Sequence, residues 1–381
     1  MQLRPNNHFT PPKNWMNDPN GLIFHDGLYH LYYQHNPHAN EFGNISWGHA
    51  TSKDLFDWEH HEVALWSTED FMIYSGCTLI DEDGCVCAIY TEHIGDTENY
   101  HERICIAKSN DGGFTFDRDN RQILIQREEP DFRDPKVFRY EPEDCWVMCV
   151  ALPKKYAILF YKSDDLVHWQ ETGSFTSQYP GGQFWECPDL FPLQDETGAE
   201  RWILTISGQN VDGKSWGMFY FIGQFDGHTF RTESQSQPFD VGSDFYAGIT
   251  FEGLPDRVMI GWCGNWAYAG KLKEQGWSGM MSTPRRLSIK AGILRQEYFT
   301  SNQSINLQVT TAKQVLDKNG MKLSWSVTGL EVERSNSDRG FPEDYNRVSF
   351  DGPIQSLEVI TDEGIIECAI DGGEKMFTAR I

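Results

Sequence analysis

Short apolar stretches with an alternating pattern recur along most of the chain, and turn-forming residues separate them. Examples are residues 28–34, 158–162, 202–206 and 258–262, which lie between segments rich in Gly, Asn and Asp. Runs of this length, enriched in aromatic and β-branched residues, are typical of β-strands. Helical periodicity is nearly absent, so the pattern predicts an all-β protein.

A weak signature, made of an Asp, a turn and an aromatic residue, recurs four times. Its first residues are Asp54, Asp111, Asp165 and Asp226, at steps of 57, 54 and 61 residues. Repeats of this length built from short strands are typical of four-stranded propeller blades. Four repeats and the stretch to residue 295 therefore predict a five-bladed β-propeller. The alternative is that the signature is a common hairpin phrase whose spacing is accidental.

The pattern changes after Ile293, where polar residues precede renewed alternation in residues 322–327 and 357–369. This change predicts a second all-β unit, with domains at residues 1–295 and 296–381. Period-two alternation suits a β-sandwich in which each sheet has one solvent-facing side. Because no low-complexity linker separates the units, we expect them to pack together rigidly.

The 381 residues carry a formal net charge of −24. This charge disfavours nucleic acid, anionic membranes and polyanionic substrates, so a neutral partner such as a small molecule fits best. The N-terminus has no apolar signal-like segment, and no apolar run approaches the ~20 residues that span a bilayer. We therefore expect a cytoplasmic protein that does not bind membranes.

Nine cysteines, an odd number, lie mostly within apolar segments and form no C-x-x-C pair. We expect reduced, buried thiols, as in a reducing cytoplasm. Cys85 and Cys87 flank a single valine, but this spacing is not a common zinc pattern. We therefore expect neither a metal nor an organic cofactor.

Three acidic residues occupy similar places relative to the signature. Asp18 lies 36 residues before the first signature Asp, Asp134 lies 31 before the third and Glu186 lies 40 before the fourth. Because the innermost strand of each blade lines the central channel, we expect the three carboxylates to meet in one pocket. Ser75, 36 residues before the second signature Asp, would join them.

Each acidic motif also has a simpler interpretation. The run Asn-Asp-Pro-Asn-Gly at 17–21 is typical of a surface turn, and Arg133 with Asp134 could form a surface ion pair. Glu186 is harder to explain this way, because the Trp and Cys beside it favour burial. If the carboxylates meet, like charge and desolvation raise the pKa of at least one of them, as an acid catalyst near neutral pH requires.

The three motifs together resemble those of glycoside hydrolase family 32, the invertase and fructanase family. Its hallmark segments NDPNG, RDP and EC occur in this order at residues 17–21, 133–135 and 186–187. Similar segments extend the resemblance from about His8 to Leu287. The resemblance implies a five-bladed propeller with a funnel-shaped pocket, in agreement with the repeats.

The resemblance also implies catalytic roles. Asp18 would be the nucleophile, Glu186 the general acid and then base, and Asp134 a stabiliser of the oxocarbenium-like transition state. The chain would then be a retaining β-fructofuranosidase that releases terminal fructose from sucrose or short fructo-oligosaccharides. Retention requires carboxyl groups about 5–5.5 Å apart.

A set of substrate-binding residues follows from the same resemblance. Its polar members would hydrogen-bond the fructosyl unit, and its aromatic members would shape the pocket. For the aromatic members the alternative is a place in the propeller core. The set is Asn17, Gln34, Phe42, Trp47, Tyr74, Ser75, Arg133, Tyr246 and Trp262.

The chain also departs from the family pattern. Phe42 stands where many relatives place a Trp at the pocket rim, Cys77 stands where a second Ser is usual, and Arg286 replaces a common acidic residue. Residues 291–381 are fewer than the family's β-sandwich needs, so we expect a shortened sandwich. Missing strands would leave edges exposed, and exposed edges favour a homo-oligomer through this end.

Other functions stay open. A cytoplasmic home favours hydrolysis of sucrose 6-phosphate, which would need Lys, Arg or His near the leaving group. A fructosyltransferase would retain the same acids, and a catalytically silent sugar-binding propeller would retain the fold. A five-bladed glycosidase acting on arabinose or xylose polymers is not expected to carry all three motifs.

Overall fold

A computed structural model of the chain describes residues 4–96, 99–177, 183–209, 216–272, 276–299, 304–318, 321–334 and 339–381. Thirty strands in seven sheets, together with four 3₁₀-helices, make up the regular structure of these residues. The prediction of an all-β fold is confirmed. Within the described ranges, no helix has the length and apolar character needed to cross a bilayer. The 3₁₀-helices are Glu141–Glu143, Pro153–Lys155, Ala269–Lys271 and Glu343–Tyr345.

Five of the seven sheets are built from residues 14–298. Nearly all neighbouring strands are antiparallel and follow one another along the chain. In hydrogen-bonding order the first sheet is β20 (Trp277–Ser278), β1 (Asn14–His25), β2 (Leu28–Asn36), β3 (Ser46–Ser52) and β4 (Trp58–His60), and the second is β5 (Phe71–Ile80), β6 (Val86–Gly95), β7 (Tyr100–Lys108) and β8 (Gln122–Gln126). The third is β12 (Gln170–Thr176), β11 (Ala157–Ser163), β10 (Cys145–Leu152) and β9 (Arg133–Tyr140), and the fourth is β13 (Gln183–Gln194), β14 (Glu200–Gln209), β15 (Trp216–Phe225) and β16 (Phe230–Thr232), with β17 (Gln237–Pro238) also paired with β15. The fifth is β18 (Tyr246–Thr250), β19 (Val258–Trp262), β21 (Arg285–Lys290) and β22 (Ile293–Tyr298).

The fourfold signature marks the turn between the third and fourth strands of four sheets. In each turn the Asp carboxylate accepts hydrogen bonds from backbone N–H groups two to four residues later. The residue after each Asp is left-handed, with φ between 65° and 84°. Asp favours such turns because its side chain satisfies the turn's own backbone. The recurrence therefore reflects four equivalent turns rather than accidental spacing.

The first strands of the five sheets contact one another in cyclic order, from β1 to β5, β9, β13, β18 and back to β1. β20 pairs with β1 in parallel, through Asn14 with Trp277 and Trp15 with Ser278. A strand from beyond β19 thus completes the sheet that begins the chain. We call this arrangement the ring of sheets.

The other two sheets form the C-terminal unit, and one hydrophobic core lies between them. Leu323 and Trp325 of one sheet pack in this core with Val359 and Phe377 of the other. The expected boundary after residue 295 falls inside β22, which stays paired with β21 as far as Tyr298. The sheets are β23 (Ile305–Leu307), β28 (Leu357–Asp362), β29 (Ile365–Ile370) and β30 (Lys375–Arg380), and β24 (Gln314–Lys318), β25 (Met321–Ser326), β26 (Gly329–Glu333) and β27 (Arg347–Asp351).

A buried group of charged residues joins the two parts of the chain. We call it the interface cluster, and it consists of His8, Asp240, Arg285, Asp362 and Glu367. Glu367 accepts hydrogen bonds from His8 Nε2 at 2.9 Å and Arg285 Nη2 at 3.2 Å. Arg285 also pairs with Asp240 at 2.9 Å, and His8 Nδ1 lies 3.0 Å from Asp362. The expected solvent-facing side is wrong for β29, which is buried throughout, because His8 and Arg285 from outside the C-terminal unit cover Glu367.

One edge of the C-terminal unit is covered rather than exposed. Val241 donates its backbone N–H to Met376 at 2.7 Å, and Ser243 donates to Thr378 at 2.9 Å, so the ring of sheets satisfies the outer side of β30. The expectation of open edges is therefore wrong for this strand. The outer strands β24 and β27 of the other sheet alternate between exposed and half-buried residues.

Candidate active site

The first strand of each sheet in the ring breaks its pairing register where the predicted site residues lie. In β1 the break falls between Met16 and Pro19, and in β13 two breaks flank Glu186. β9 has its break at Asp134, and β5 has one at Ser75. Such bulges re-aim side chains and are frequent beside active sites. Here they bring side chains from different sheets together at one end of the ring.

Two of these bulges hold non-glycine residues in the left-handed backbone region. Asp134 has a φ of 63° and Cys187 a φ of 47°. This conformation costs an L-residue roughly 1–2 kcal/mol, so the surrounding structure must stabilise it. Asp134 donates its N–H to Thr91 Oγ1 at 3.0 Å, and Cys187 donates its N–H to Asp134 Oδ2 at 2.9 Å. The bulges therefore support each other across neighbouring sheets.

Asp18 is buried among neutral hydrogen-bond donors. Its carboxylate accepts from Asn17 Nδ2 at 3.0 Å, from Ser75 Oγ at 3.0 Å and from Gln34 Nε2 at 3.5 Å. The pKa of Asp18 is raised to about 6, because burial and the charge of Glu186 outweigh the hydrogen bonds from Asn17 and Ser75, which lower it. Within the described residues Asp18 has no ion-pair partner, so no cation neutralises it.

A single thiol lies between two of the predicted acids. Cys187 Sγ is 3.6 Å from Asp18 Oδ2 and 3.5 Å from Asp134 Oδ2. Burial raises the pKa of Asp134, Arg133 opposes this, and the charges of Glu186 and Asp18 add to the rise. The carboxylates of Asp18 and Asp134 are thus close neighbours in a poorly solvated place.

Glu186 is held by both of its oxygens. Arg133 donates to Oε1 from Nη2 at 2.9 Å and from Nε at 3.2 Å, while the Tyr246 hydroxyl donates to Oε2 at 2.5 Å. The guanidinium of Arg133 also contacts Glu102 at 3.1 Å and Asp131 at 3.2 Å. Asp134 Oδ2 lies 4.0 Å from Arg133 Nε, so this one cation pairs with four carboxylates, and its donors are already occupied.

These groups face a cavity of about 430 Å³. Asn17, Gln34, Phe42, Tyr74 and Arg133 from the predicted binding set lie on its wall, as do the three predicted acids. Phe42 is 42% exposed at the rim. The full lining is Asn17, Asp18, Gln34, Phe42, Tyr74, His93, Tyr100, Glu102, Asp131, Arg133, Asp134, Phe184, Glu186, Trp216 and Trp266.

Four members of the predicted binding set do not lie on the cavity wall. Ser75 and Tyr246 instead hydrogen-bond Asp18 and Glu186. Trp47 is fully buried in the hydrophobic core and donates its indole N–H to the Tyr74 carbonyl at 3.1 Å. The structure therefore places these three residues in support of the cavity, and their contact with a substrate stays a prediction.

Trp262 is the fourth member that does not reach the cavity. It is 1% exposed, and Trp266 packs over it at 4.9 Å between ring centroids. Trp266, which is on the wall, takes the place expected for Trp262. The exchange puts Trp262 behind the cavity, where it supports the aromatic wall.

Sequence reasoning missed seven residues of the wall. Asp131 lies just ahead of β9, two residues before Arg133, whose guanidinium it contacts. His93 and Glu102 are cross-strand partners whose side chains meet at 3.0 Å, a pairing that requires the register of β6 and β7. Nothing local distinguishes Trp216 and Trp266 from core residues. The missed residues are His93, Tyr100, Glu102, Asp131, Phe184, Trp216 and Trp266.

The wall combines aromatic faces with closely spaced carboxylates, amides and hydroxyls. Aromatic faces bury the apolar side of a sugar ring, while the polar groups suit its hydroxyls. An unneutralised carboxylate beside a second, firmly oriented one permits nucleophilic and general acid–base chemistry. The geometry therefore suits a neutral polyhydroxylated ligand.

Among the described residues, the acids and cysteines grouped closely enough for a metal ion are Asp81, Cys85 and Cys87, which lie outside the cavity.

Comparison with known proteins places this site in a family context. Residues 8–298 match the model of the glycosyl hydrolases family 32 N-terminal domain. A levanase of Bacillus subtilis (strain 168) is 40% identical over 311 residues, which cover 76% of this chain and 45% of the levanase. The chain thus spans about half the length of that relative.

Solved structures extend the similarity to the C-terminal unit. The exo-inulinase from Aspergillus awamori superposes with a TM-score of 0.86 at 27% identity, over 100% of this chain and 93% of its own. The β-fructofuranosidase from Schwanniomyces occidentalis, solved with fructosyl-erythritol, gives a TM-score of 0.88 at 26% identity, over 100% and 91%. The family model stops at Tyr298, so the C-terminal unit lies outside the family-model match and is covered by the structural superpositions.

Proposed function

The chain belongs to glycoside hydrolase family 32, and on that premise we propose that it is a retaining β-fructofuranosidase acting on sucrose and short fructo-oligosaccharides. The observation that carries the proposal is the set of three carboxylates in one cavity, of which Asp18 and Asp134 share the Cys187 thiol. Relatives named levanase, exo-inulinase and invertase support fructosides as the substrate class.

The roles of the acids follow from their partners. Glu186, oriented by Arg133 and Tyr246, gives its proton to the glycosidic oxygen as that bond breaks. Asp18, whose partners are neutral donors, attacks the anomeric carbon and forms a fructosyl ester. Water, deprotonated by Glu186, then cleaves the ester and releases fructose. Asp134 stabilises the positive charge that develops on the fructosyl ring in both steps.

The charge of the cavity favours a neutral leaving group over a phosphate ester. The described wall carries five carboxylate residues and one guanidinium, that of Arg133, which four of these carboxylates already engage. A phosphate would bring about two negative charges into this field, and among the described residues the nearby Lys154 is already paired with Asp131 at 2.8 Å, which leaves no free Lys or Arg on the wall to receive it. This is the reason we place sucrose ahead of sucrose 6-phosphate.

The ring of sheets supports a five-bladed β-propeller, because five sheets meet through their first strands in cyclic order. The two sheets of the C-terminal unit and their shared core support a β-sandwich. We place the domain boundary after β22 rather than within it. A funnel at one end of the propeller would then hold the cavity.

We also propose a location and an oligomeric state for the chain. All nine cysteines are free, with eight buried and Cys85 half-buried, which supports a reducing cytoplasm as the home of the chain. A relative is named an extracellular exo-inulinase, so a cytoplasmic location of this chain would mean that location differs within the family.

The outer strands β24 and β27 support a homodimer through the C-terminal unit, which sedimentation analysis would test.

A comparison of rates on four substrates tests the proposed function. We expect turnover of sucrose and of short fructo-oligosaccharides, at least about tenfold lower kcat/KM on sucrose 6-phosphate, and none on arabinose or xylose polymers. NMR of the first product would give β-fructofuranose if the anomeric configuration is retained. Faster turnover of the phosphate ester would overturn the leaving-group choice, and fructoside binding without turnover would make the protein a sugar-binding module.

A further inference from the structure

A hairpin at the far end of β5 brings two thiols and a carboxylate together. Asp81 follows β5, and its Oδ1 accepts the backbone N–H groups of Asp83 at 3.1 Å and Cys85 at 2.8 Å. Cys85 and Cys87 are two residues apart where β6 begins, so both side chains face the same side of the sheet. The sequence spacing of the thiols alone is not a zinc pattern, but the hairpin adds a third group that the spacing does not show.

The ligand atoms of these three residues have separations that suit one metal ion. Asp81 Oδ, Cys85 Sγ and Cys87 Sγ all lie within 4.8 Å of one another. The distance between Cys87 Sγ and Asp81 Oδ2 is 3.6 Å. A tetrahedral Zn²⁺ with usual bond lengths requires about 3.5 Å between a sulfur and an oxygen ligand, and about 3.8 Å between two sulfurs. Small side-chain rotations would therefore complete the triad.

A positively charged side chain already binds at this triad. Lys108 Nζ lies 2.6 Å from Asp81 Oδ2, yet the Lys108 side chain is 56% exposed, so its flexible stem can move away. Although Asp81 is only 8% exposed, solvent around Lys108 screens the pair, so it contributes about 0–1 kcal/mol, as a surface ion pair does. The thiols form weak S–H hydrogen bonds, from Cys85 to the Ser109 carbonyl and from Cys87 to Asp81, which a metal bond would replace.

The hairpin opens onto a surface cavity that attracts cations. Asp81 and Lys108 are on the wall of this cavity, which has a volume of about 540 Å³ and lies between the second and third sheets. Five further Asp and Glu residues share its described wall, with Lys108 as the one Lys or Arg. A concave surface with this charge raises the local concentration of cations. Metal ions therefore have a path to the triad.

We propose that Asp81, Cys85 and Cys87 form a binding site for a thiophilic divalent cation, Zn²⁺ in the first place, with Lys108 as a competitor for Asp81. Two sulfur ligands select Zn²⁺ over Mg²⁺ or Ca²⁺, which prefer oxygen ligands throughout. Three protein ligands leave one tetrahedral position for water. Asp81 lies six positions beyond Ser75, roughly 20 Å along the strand direction, so this site is distinct from the catalytic cavity.

Titration of the reduced, chelator-treated full chain with Zn²⁺ tests the proposal, and Co²⁺ serves as the spectroscopic probe. We expect one Zn²⁺ per chain by calorimetry and a thiolate-to-cobalt charge-transfer absorption. Cys85→Ser and Cys87→Ser should each weaken binding by at least about tenfold and remove that absorption. Cys145→Ser, which replaces another free thiol, is the matched control and should bind as the parent does.

Lys108→Gln provides the second arm, because it predicts a gain. Removing the competing ammonium should tighten Zn²⁺ binding by about two- to fivefold. This arm does not depend on whether the buried Cys87 variant folds. Equal Zn²⁺ binding by the Cys85→Ser, Cys87→Ser double variant would overturn the proposal, as would the lack of stoichiometric binding in both the parent and Lys108→Gln.

Discussion

The cavity and the interface cluster both bury carboxylates, but they balance the charge differently. In the interface cluster, three carboxylates meet two cations, Arg285 and His8, and each carboxylate contacts at least one of them. Burial raises the pKa of Glu367, but the hydrogen bond and charge of His8, together with Arg285, outweigh it and lower the pKa to about 2. The paired acid is thus stably ionised.

In the cavity, burial acts on acids that have too few cations. The pKa of Asp18 rises to about 6 where that of Glu367 falls, although both carboxylates are buried. The difference shows that the partner, not burial, decides whether an acid stabilises the fold. Paired acids hold the two parts of the chain together, while crowded acids are kept at a cost in stability and supply chemistry.

The largest expected effect is that of Asp18→Asn. Losing the proposed nucleophile should lower kcat on sucrose by about 10⁴-fold or more. The free energy of unfolding should rise instead. The pKa of Asp18 is higher in the folded than in the unfolded protein, so ionisation of Asp18 destabilises the fold as pH rises through 6. At neutral pH the variant lacks this penalty of about 1–3 kcal/mol. Steady-state kinetics and urea unfolding measure both. A variant that is as active as the parent would refute the assigned nucleophile.

Breaking the interface cluster should have the opposite signature. Arg285→Met leaves Asp240 and Glu367 without this cation, and uncompensated buried charge costs about 3–5 kcal/mol of unfolding free energy. Its neighbour Arg286, which pairs with Asp256 at 3.0 Å while 41% exposed, is the matched control. Arg286→Met should lose less than about 1 kcal/mol. Equal losses in the two variants would contradict the distinction between buried and surface pairs.

The pH dependence of stability separates His8 from the rest of the cluster. Burial lowers the pKa of His8, but Asp362 and Glu367 outweigh it and raise the pKa from 6.5 to about 9. Its contribution is therefore complete below pH 6.5 and is lost as pH rises through 9. Between these limits the parent should lose about 2–3 kcal/mol more than His8→Gln. Exposed His168, beside Asp165, is the control, since His168→Gln should follow the parent.

The smallest expected change concerns the donors around Asp18. Ser75→Ala removes a hydrogen bond that lowers the pKa of Asp18, so the acid limb of kcat/KM should move up by about one pH unit. Thr78→Val is the control, because Thr78 lies on the same strand but donates to the Gly21 carbonyl. An acid limb that does not move in Ser75→Ala would show that Asp18 does not control it.

The sequence was most informative where local rules act on equivalent positions. The signature Asp residues predicted repeated turns, because an Asp carboxylate satisfies its own turn in every sheet. The same equivalence placed Asp18, Asp134 and Glu186 on the first strands of three sheets. Motif spacing was enough to predict the positions of these acids, because the position of each residue within its sheet depends on a short stretch of sequence around it.

The remaining features depend on partners far away in the chain. The alternation around Glu367 predicted a solvent-facing side chain, but His8, 359 residues away, covers it. Trp262 and Trp266 could not be ranked, since only the packing of one ring over the other decides which reaches the cavity. Tertiary contacts of this kind leave no periodic trace in the sequence.

The pairing of β20 with β1 also sets the order in which the enzyme can be completed during translation. The strand that carries Asp18 is synthesised among the first, yet its parallel partner at Trp277 and Ser278 emerges about 260 residues later. At roughly 5–20 residues per second, the ribosome needs on the order of 13–50 s to supply that partner. A nascent chain stalled before Trp277 should therefore carry all three acids and remain inactive. The proposed nucleophile is made early, and translation has to pass β20 before it can work.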